Sequence, residues 1–407
     1  AKRIFFLIGS FLPIFIAILW RNHLFERLFP KKYIAVIDAG SSGSRLVVYR
    51  SAGSGNLIQL GLYTVEPGLN SFGSDAKGAW NTLHSILEKA EKELSLPNVI
   101  PVYLYATGGF RKLSEDKRTT LANQVCQLSS NSSSIMRLEL DRWMVLSGSD
   151  EAYYGWLAVN YLEGCIDGNG KRVKRTVGAM DWGGESLEMA FEEEHVYTHS
   201  FSEIGANGVL TLILTHLLQS SSNHTYVRNP CFPLGYSEER DGVLYVGTGE
   251  LNRCESVVST LFRCGERESD ICHLQQLSIA QSNQSFFGMS LLFYVADFLY
   301  FVENKVTGRG TGSAEYQYFD ELSFRNRLQL LLFLSWNDLQ SKIGSAHRYT
   351  SMSLLPYRAL QGVFLKYLVS TMIGTEKNTI IFVKTVNHHN VDWSLGAALA
   401  LLQFSVF

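Results

Sequence analysis

The sequence predicts an α/β protein with two related lobes that face each other, preceded by an N-terminal transmembrane helix. The evidence for two lobes is a pattern that occurs twice, in Tyr33–Arg50 and in Thr176–Phe191. In each copy a strand ends in an aspartate, and a glycine-rich turn leads into a second strand. An internal repeat at the scale of a domain indicates two units built on one plan. The evidence for the helix is Ile4–Trp20, whose 17 residues carry no charge.

The composition indicates a folded protein without a nucleic-acid partner. Of the 407 residues, 46% are hydrophobic and 18% are charged, which is enough to build sizeable cores. The formal net charge of −2 provides no global basic field for binding nucleic acid. The oligomeric state stays open.

The apolar segment is at the lower limit of the roughly 17–25 residues that a membrane-spanning helix needs. A cleaved signal peptide is the alternative interpretation, but the residues after Trp20 offer no cleavage site of small residues. We therefore expect a single-pass membrane protein in which residues 1–32 are the anchor and stem.

Two kinds of signal disagree about the side of the membrane on which the chain lies. Lysine and arginine are more numerous after the span than before it, which favours the cytosol. Three N-glycosylation sequons, at Asn131, Asn223 and Asn283, favour the secretory pathway. Four of the six cysteines cluster without the CxxC pairs of a zinc site, which favours disulfides in an oxidising compartment. Together these signals predict the Golgi or ER lumen, or the cell exterior.

We expect the first lobe to comprise residues 33–148, completed by the C-terminal segment 391–407, and the second lobe to comprise residues 149–390. Three segments of the first lobe have the β-rich composition of strands: Tyr33–Asp38, Leu46–Tyr49 and Val102–Thr107. Apolar residues from Ala79 to Leu94 recur at helical spacing and predict a helix.

The second lobe begins with a helix that reaches Leu162 and has an apolar face, on which Trp156 is expected to lie in the core. Residues 220–270 are polar and contain cysteines, so we expect exposed loops there. The apolar run Ser285–Val302 could be a second membrane span, but Asp297 and the sequon at its start favour a buried helix. The segment Asp392–Phe404 is expected to be a loop that leads into an apolar helix, with Trp393 in the core.

The two repeated turns have the chemistry of phosphate loops. Glycine lets the backbone approach a ligand closely, and successive N–H groups with hydroxyls converge on an anion. Asp38 and Asp181 would repel a phosphate unless a cation lay between them, and Mg²⁺ and Ca²⁺ prefer oxygen ligands. Two such loops predict a cleft for a nucleotide and a metal ion between the lobes, which is the general arrangement of actin, sugar kinases and heat-shock ATPases.

At a finer level the sequence resembles the nucleoside triphosphate diphosphohydrolase family, which comprises the apyrases and the Golgi nucleoside diphosphatases. The resemblance rests on five motifs in the family's order: IDAGSSGSR from Ile37, YATGGFR from Tyr105, SDEAYYGWLAVNYL from Ser149, MDWGGESLE from Met180 and DWSLGAAL from Asp392. It extends over nearly the whole chain after the stem. It implies two actin-like, ribonuclease H-like lobes and hydrolysis of nucleoside di- or triphosphates with Ca²⁺ or Mg²⁺.

The resemblance also implies roles for individual residues. Glu151 matches the general base, and Ser186 matches the serine that positions the attacking water. Asp38 and Asp181 match the carboxylates that hold the metal through water. The phosphate-binding set is Ser41, Ser42, Gly43, Ser44, Thr107, Gly183, Gly184 and Glu185. Glu188 is expected to help to position the water, and Arg111 to clamp a phosphate or to form a structural ion pair.

The cysteine-containing segment resembles the family's disulfide loop, which implies the pairs Cys231–Cys254 and Cys264–Cys272 and leaves Cys126 and Cys165 unassigned. Four aromatic residues are candidates for stacking on a nucleobase, although the core is the better expectation for each: Phe286, Phe287, Tyr349 and Tyr357.

Two departures from the family pattern keep a second hypothesis open. Glu185 stands where the family has a small residue, and Glu188 stands where it has glutamine. Extra carboxylates beside a phosphate loop weaken anion binding unless they point away or hold metal. The leading hypothesis is a luminal diphosphatase that acts on UDP or GDP, or an extracellular apyrase; the alternative is an impaired family member that binds nucleotides as a membrane-bound scaffold. A sugar kinase or a polyphosphatase is disfavoured by Glu151 and its motif.

Overall fold

Two mixed β-sheets form the centre of the fold. The structure is a computed structural model that describes residues 32–51, 56–96, 99–263, 283–309, 316–374 and 378–404. The predicted span Ile4–Trp20 and the predicted pair Cys264–Cys272 lie outside the described residues. No helix within these ranges is both long enough and apolar enough to cross a bilayer.

The strands, numbered along the chain, are β1 Tyr33–Ala39, β2 Ser44–Ser51, β3 Leu57–Val65, β4 Val102–Ala106, β5 Leu138–Val145, β6 Gly178–Trp182, β7 Leu187–Glu192, β8 Val196–Phe201, β9 Tyr226–Asn229, β10 Ser237–Arg240, β11 Val243–Gly247, β12 Ser285–Ser290, β13 Tyr316–Tyr318, β14 Thr379–Val383, β15 Thr385–Val386 and β16 His389–Asn390. The helices are α1 Ala76–Glu93, α2 Gly108–Arg111, α3 Glu115–Ser130, α4 Gly148–Leu162, α5 Ala206–Gln219, α6 Leu251–Phe262, α7 Leu291–Thr307, α8 Glu321–Phe333, α9 Trp336–Lys342, α10 Arg358–Tyr367 and α11 Trp393–Phe404.

The two sheets share one topology. In the first, with the order β3-β2-β1-β4-β5, three antiparallel strands are followed by two parallel ones. In the second, with the order β13-β14-β12-β6-β7-β8, strands β6 to β8 repeat the antiparallel part, β12 and β14 repeat the parallel part, and β13 adds an edge. The repeat that the sequence predicts is therefore present. The exact lobe boundaries stay a prediction.

Helix α1 illustrates how the local sequence sets an element of the first unit. The side chain of Asp75 accepts a hydrogen bond from Gly78 N at 2.9 Å and caps the helix. The apolar residues of the predicted stripe face the first sheet and are buried: Ala79, Leu83, Ile86, Leu87 and Ala90. The helix ends one residue before Leu94, whose backbone is extended.

A separate core joins the two sheets. Helices α4 and α11 pack against each other and bury residues from β1, β2, β6 and β7 around them. Trp156 and Trp393 lie in this core, each 3% exposed, as the sequence predicts. Ser147 caps α4 by accepting a hydrogen bond from Asp150 N at 3.1 Å. The first turn of α4, which carries Glu151, is thereby fixed next to the junction of the two units.

The expectation of exposed loops in residues 220–270 was partly wrong. Within the described part of this region, β9, β10 and β11 form a sheet. Helix α6 packs into the hydrophobic core of the second sheet. Alternate residues such as Val243 and Tyr245 are buried, but the strands are too short for this alternation to stand out in a polar segment. The predicted disulfide Cys231–Cys254 is present and ties the segment after β9 to α6.

The expectation of one buried helix over Ser285–Val302 was partly wrong, because the run divides into β12 and α7. Both are buried, and a continuous apolar run does not distinguish a buried strand from a buried helix. The division falls at Ser290, a non-glycine residue with φ +53°. Such a backbone costs energy and is concentrated at functional sites.

Candidate active site

The two repeated turns face each other across one cleft. The turn between β1 and β2 and the turn between β6 and β7 form its walls, and the cleft volume is about 220 Å³. The lining residues are Asp38, Gly40, Ser41, Ser42, Arg45, Thr107, Gly108, Gly109, Glu151, Asp181, Gly183, Gly184, Glu185, Ser186, Glu188, Ser290 and Trp393. Residues assigned from distant motifs are thus brought together.

Two residues of the predicted phosphate-binding set do not line the cleft, namely Gly43 and Ser44. Ser44 opens β2 opposite Ala39 and is 2% exposed, and its hydroxyl has no hydrogen-bond partner within the described residues. A Cβ on Gly43 would lie 2.8 Å from the carbonyl oxygen of Val65. This end of the turn therefore packs against β3 and does not face the cleft.

Each phosphate loop is supported from behind by a glycine that the sequence did not single out. A Cβ on Gly68 would lie 2.3 Å from the carbonyl oxygen of Ser41, in the first loop. A Cβ on Gly205 would lie 2.2 Å from the carbonyl carbon of Glu185 and 2.3 Å from Ser186 N, in the second loop. Both loops therefore depend on a neighbour without a side chain.

We expect Gly205→Ala to distort the second loop, because the added methyl group meets backbone that cannot rotate away. Overpacking of this kind costs about 1–3 kcal/mol of unfolding free energy. Thermal unfolding and kcat/KM for nucleotide hydrolysis would measure the effect. The matched control is Gly155→Ala inside α4, where the nearest atom to the new Cβ is Met289 Cε at 3.4 Å. Equal behaviour of the two variants would contradict this role of Gly205.

On the side of the first loop, Asp38 belongs to a three-residue ion-pair network. Arg45 Nη2 lies 2.8 Å from Asp38 Oδ2, and Arg45 Nε lies 3.1 Å from Asp392 Oδ2. Burial raises the pKa of Asp38 to about 6, although Arg45 opposes the shift. Asp392 also accepts a hydrogen bond from Ser394 N at 2.7 Å and so fixes the start of α11 to the first loop. Its position in a family motif was the only sequence signal for it.

On the side of the second loop, burial raises the pKa of Asp181, and a hydrogen bond from the Ser290 hydroxyl lowers it. Asp38 and Asp181 each raise the pKa of Glu151, which places all three carboxylates in one electrostatic environment. Buried carboxylates whose charge is not fully compensated are suited to a cation.

The cleft fits a divalent ion that is shared with substrate. The described residues contain no group of three or more His, Cys, Asp and Glu side chains that would hold a metal alone. Mg²⁺ is usually bound by one or two carboxylates together with substrate phosphates and water. Asp38 and Asp181 are a donor set of that kind.

Glu151 lies at the centre of a buried charge cluster. Arg111 Nη1 donates to Glu151 Oε2 at 3.0 Å and to the carbonyl oxygen of Leu146 at 3.0 Å. Arg111 Nη2 lies 3.5 Å from Ser186 Oγ and 3.7 Å from Glu188 Oε1. Of the two expectations for Arg111, the ion pair is therefore the one observed. Burial, then Glu188, raises the pKa of Glu151 well above its usual range, while Arg111 opposes the rise.

Glu188 is 3% exposed and stands opposite Asp181 on the paired strands β6 and β7. The Ser200 hydroxyl donates to Glu188 Oε1 at 2.8 Å. Burial raises the pKa of Glu188 to about 7, and a hydrogen bond from Ser186 opposes the rise. A protonated glutamic acid has nearly the shape and the hydrogen-bonding groups of glutamine. The replacement of the family's glutamine by Glu188 is therefore a smaller chemical change than the sequence suggests.

Glu185 points at two donors that lie beside the cleft. Asn207 Nδ2 donates to Glu185 Oε1 at 2.9 Å, and Lys112 Nζ forms an ion pair with Oε2. Lys112 follows α2 of the first unit, so this pair crosses the cleft. The carboxylate is thus compensated, and the predicted part of Glu185 in phosphate binding stays a prediction.

Of the four aromatic candidates, Phe286 and Phe287 are in the core, and Tyr357 donates to Glu238 Oε2 at 2.6 Å. Tyr349 stacks on Tyr294, which the sequence did not single out, with ring centroids 4.8 Å apart. Lys384 Nζ donates to the Tyr294 hydroxyl at 3.1 Å and is close enough to Asp181 to lower its pKa. Lys384 thus connects this aromatic pair with the electrostatic environment of Asp181, although neither tyrosine lines the cleft.

Two sheets of one topology, with an aspartate-bearing glycine loop from each meeting at a cleft, define the actin-like fold of proteins that bind nucleotide phosphates. The chain belongs to the GDA1/CD39 (nucleoside phosphatase) family, whose pattern matches residues 29–195 and 192–407. The predicted family and the predicted enzyme class are confirmed.

Named relatives agree with this assignment, and a solved structure shares the fold. Ectonucleoside triphosphate diphosphohydrolase 2 of Gallus gallus is 26% identical over 91% of this chain and 83% of its own length. A Golgi apyrase of Schizosaccharomyces pombe is 27% identical over 66% of this chain and 56% of its own length. A crystal structure of a nucleoside triphosphate hydrolase from Neospora caninum matches with a TM-score of 0.68 and 16% identity, over 97% of each chain. The two-lobed α/β fold is thereby confirmed.

Proposed function

We propose that the chain is a membrane-anchored hydrolase that removes the terminal phosphate from nucleoside di- and triphosphates, with Glu151 as general base and a Ca²⁺ or Mg²⁺ ion as cofactor. The observation that carries the proposal is the position of the Glu151 carboxylate, which lines the same cleft as both glycine loops. A buried carboxylate with a raised pKa is a stronger base than an exposed one.

The two loops supply stabilisation of charge. In phosphoryl transfer, negative charge is spread over the oxygens of the transferred group, and fixed donors aimed at those oxygens lower the barrier. Ser41, Ser42, Thr107 and the backbone of Gly183 and Gly184 line the cleft as such donors. The stacked pair Tyr294–Tyr349 is the aromatic surface that we propose for the nucleobase.

Around Glu151, the neighbouring side chains hold the reacting water and the base. Arg111 fixes one oxygen of the Glu151 carboxylate, which leaves the other oxygen for the proton of the water. The side chains of Ser186 and Glu188 both lie near Arg111 Nη2. They provide a hydroxyl and a carboxyl that can orient the water. The water then attacks the terminal phosphorus, in line with the oxygen through which the rest of the nucleotide leaves. No covalent intermediate is needed.

Asp38 and Asp181 would hold the divalent ion together with the phosphates of the substrate. When bound, such an ion neutralises phosphate charge and acts as a Lewis acid. The raised pKa of Asp38, about 6, means that this carboxylate is fully available to a cation only above that pH.

We propose that the catalytic part lies in the Golgi lumen or outside the cell. Each of the three sequon asparagines, Asn131, Asn223 and Asn283, is exposed, as N-glycosylation requires. The disulfide Cys231–Cys254 is also in keeping with an oxidising compartment. We favour hydrolysis over the scaffold alternative, because Glu185 and Glu188 both have hydrogen-bond partners within the site.

The test of the proposed function is phosphate release by the purified full chain from UDP, GDP, ADP, UTP and ATP, each with Ca²⁺, with Mg²⁺ and with EDTA. We expect hydrolysis of at least one diphosphate, and its loss in EDTA. Hydrolysis that persists in EDTA would contradict the role of the metal. Absence of release from every nucleotide with both ions would favour the scaffold.

We also expect Mg²⁺ to stabilise the fold more at pH 8 than at pH 5.5. A carboxyl whose pKa is raised on folding is favourable at low pH and becomes unfavourable as the pH rises through the folded value, about 6 for Asp38. A cation that binds the ionised form relieves this cost only at the higher pH. Thermal unfolding with Mg²⁺ and with EDTA at both pH values measures the difference, and Asp38→Asn should reduce it. Equal shifts at the two pH values would refute the assignment.

A further inference from the structure

A second cavity, of about 440 Å³, lies at the other end of the strands from the catalytic cleft. Tyr49 of β2 lines it and pairs with Ile34 at the start of β1, whereas Arg45 at the cleft pairs with Asp38 near the end of β1. The four positions from Arg45 to Tyr49 correspond to about 13 Å along a strand. The volume is within the roughly 300–1,000 Å³ of small-molecule sites.

Four parts of the fold contribute to this cavity, which we call the junction cavity. They are strands β2 and β3, the end of α4 with the loop after it, the β15–β16 hairpin and the start of α11. The lining residues are Tyr49, Asn56, Leu57, Gln59, Tyr161, Leu162, Gly164, Ile166, Asp167, Gly168, Asn169, Val173, Asn387, His389, Asn390 and Leu395. None of them lines the catalytic cleft.

Several polar groups of the junction cavity are held in fixed orientations. Asp167 Oδ1 accepts hydrogen bonds from Asn169 N and Lys171 N, each at 2.9 Å. The Tyr161 hydroxyl accepts from Leu57 N at 2.9 Å and keeps its own proton for donation. Asn387 Nδ2 donates to the carbonyl oxygen of Leu162 at 2.7 Å, and its carbonyl oxygen remains an acceptor. These groups are pre-organised to meet a ligand with both donors and acceptors.

Further polar side chains line the cavity without internal partners. Within the described ranges, the side-chain amides of Gln59 and Asn390 make no hydrogen bond to the protein. Both residues lie on β-structure, Gln59 opposite Tyr49 on β3 and Asn390 on β16, so their positions are set by strand pairing. Apolar surface lies next to them, from Leu57, Ile166 and Leu395.

The charge of the lining selects among classes of ligand. Among the described residues that line it, Asp167 is the only acidic one and none is lysine or arginine; His389 is the one basic side chain. An anionic ligand such as a nucleotide would meet a carboxylate without a compensating lysine or arginine. A saccharide has hydroxyls that both donate and accept, and its ring has an apolar face that packs on aromatic and aliphatic side chains. We propose that the junction cavity is a binding site for a neutral saccharide, separate from the catalytic cleft.

The test is saturation-transfer NMR and calorimetry on the full chain with three probes: N,N′-diacetylchitobiose, methyl α-mannoside and lactose. We expect saturable binding of at least one probe. Gln59→Ala and Asn390→Ala should each weaken it roughly tenfold, the effect of about one hydrogen bond. Asn390→Trp, which fills the cavity, should abolish binding. The matched control is Gln124→Ala, an exposed amide on α3 away from the cavity.

Binding does not depend on hydrolysis, so the outcome is independent of the proposed function. Absence of saturable binding with all three probes would overturn the proposal. So would binding that survives in Asn390→Trp, provided that this variant unfolds at the same temperature as the parent. Displacement of a bound probe by uridine monophosphate would also overturn it, because it would assign the cavity to an anionic ligand.

Discussion

Glu151→Gln should lower kcat for nucleotide hydrolysis by roughly 10²–10⁴-fold, the range typical of a lost general base. The amide keeps the shape of the carboxylate and can still meet Arg111, but it cannot take a proton from water. Burial has already raised the pKa of Glu151, so replacing it removes an unfavourable buried charge and should not destabilise the fold. Nucleotide binding should persist, which thermal shift with ADP and Mg²⁺ can measure.

The matched control is Glu163→Gln, which makes the same change at the other end of the same helix, where Glu163 is the C-terminal cap. We expect parental activity in this variant. Hydrolysis by Glu151→Gln at the parental rate would refute the base assignment. Loss of both activity and folding would instead identify Glu151 as a structural residue.

Arg111→Met should have the second-largest effect, because it leaves two buried carboxylates without their cation. Removing one partner of a buried pair typically costs about 3–5 kcal/mol of unfolding free energy. Arg111 lowers the pKa of both Glu151 and Glu188, so its loss raises both. The ionised base then becomes scarcer at neutral pH, roughly tenfold for each unit of rise in pKa, and the acid limb of the activity profile moves to higher pH.

Two further variants separate this explanation from a general packing defect. Because raised carboxyl pKa values favour the protonated form, Arg111→Met should be less destabilised at pH 5.5 than at pH 8. Adding Glu188→Gln removes one of the unpaired charges and should recover part of the stability and move the acid limb back. Arg142→Met, which breaks a partly exposed pair with Glu139, is the control and should cost less than about 1 kcal/mol. A defect that is the same at both pH values and unaffected by Glu188→Gln would contradict the electrostatic account.

The elements that sequence reasoning predicted well are those whose signal is local. The strand, aspartate and turn of each repeat are contiguous, so their pairing and the resulting two-lobed fold follow from 18 residues in the first copy and 16 in the second. Helix α1 has a capping aspartate and a regular apolar stripe within its own length. The cleft residues within the two turns share this advantage.

Contacts between distant segments could not be predicted in the same way. Arg111 and Glu151 are 40 residues apart, and neither motif indicates that the two side chains form an ion pair. Asp392 reaches Arg45 from the far end of the chain. Gly68 and Gly205 are required because backbone from another segment lies close to them. A single glycine in the sequence does not indicate which segment lies against it. The orientation of Gly43 and Ser44 could not be predicted either, because it depends on the pairing of β2 with β1 and β3.

The ion pair between Lys112 and Glu185 joins the two units at the surface, whereas Arg111 joins them in the interior. The Lys112 side chain is 66% exposed, but that of Glu188 beneath Arg111 is only 4% exposed. Dissolved ions screen exposed charges over roughly 8–10 Å and affect buried ones much less. We therefore expect the Lys112–Glu185 pair to weaken as the ionic strength rises, while the contacts of Arg111 with Glu151 and Glu188 change little. If the proposed site roles hold, we expect substrate entry and the chemical step to differ in their dependence on salt.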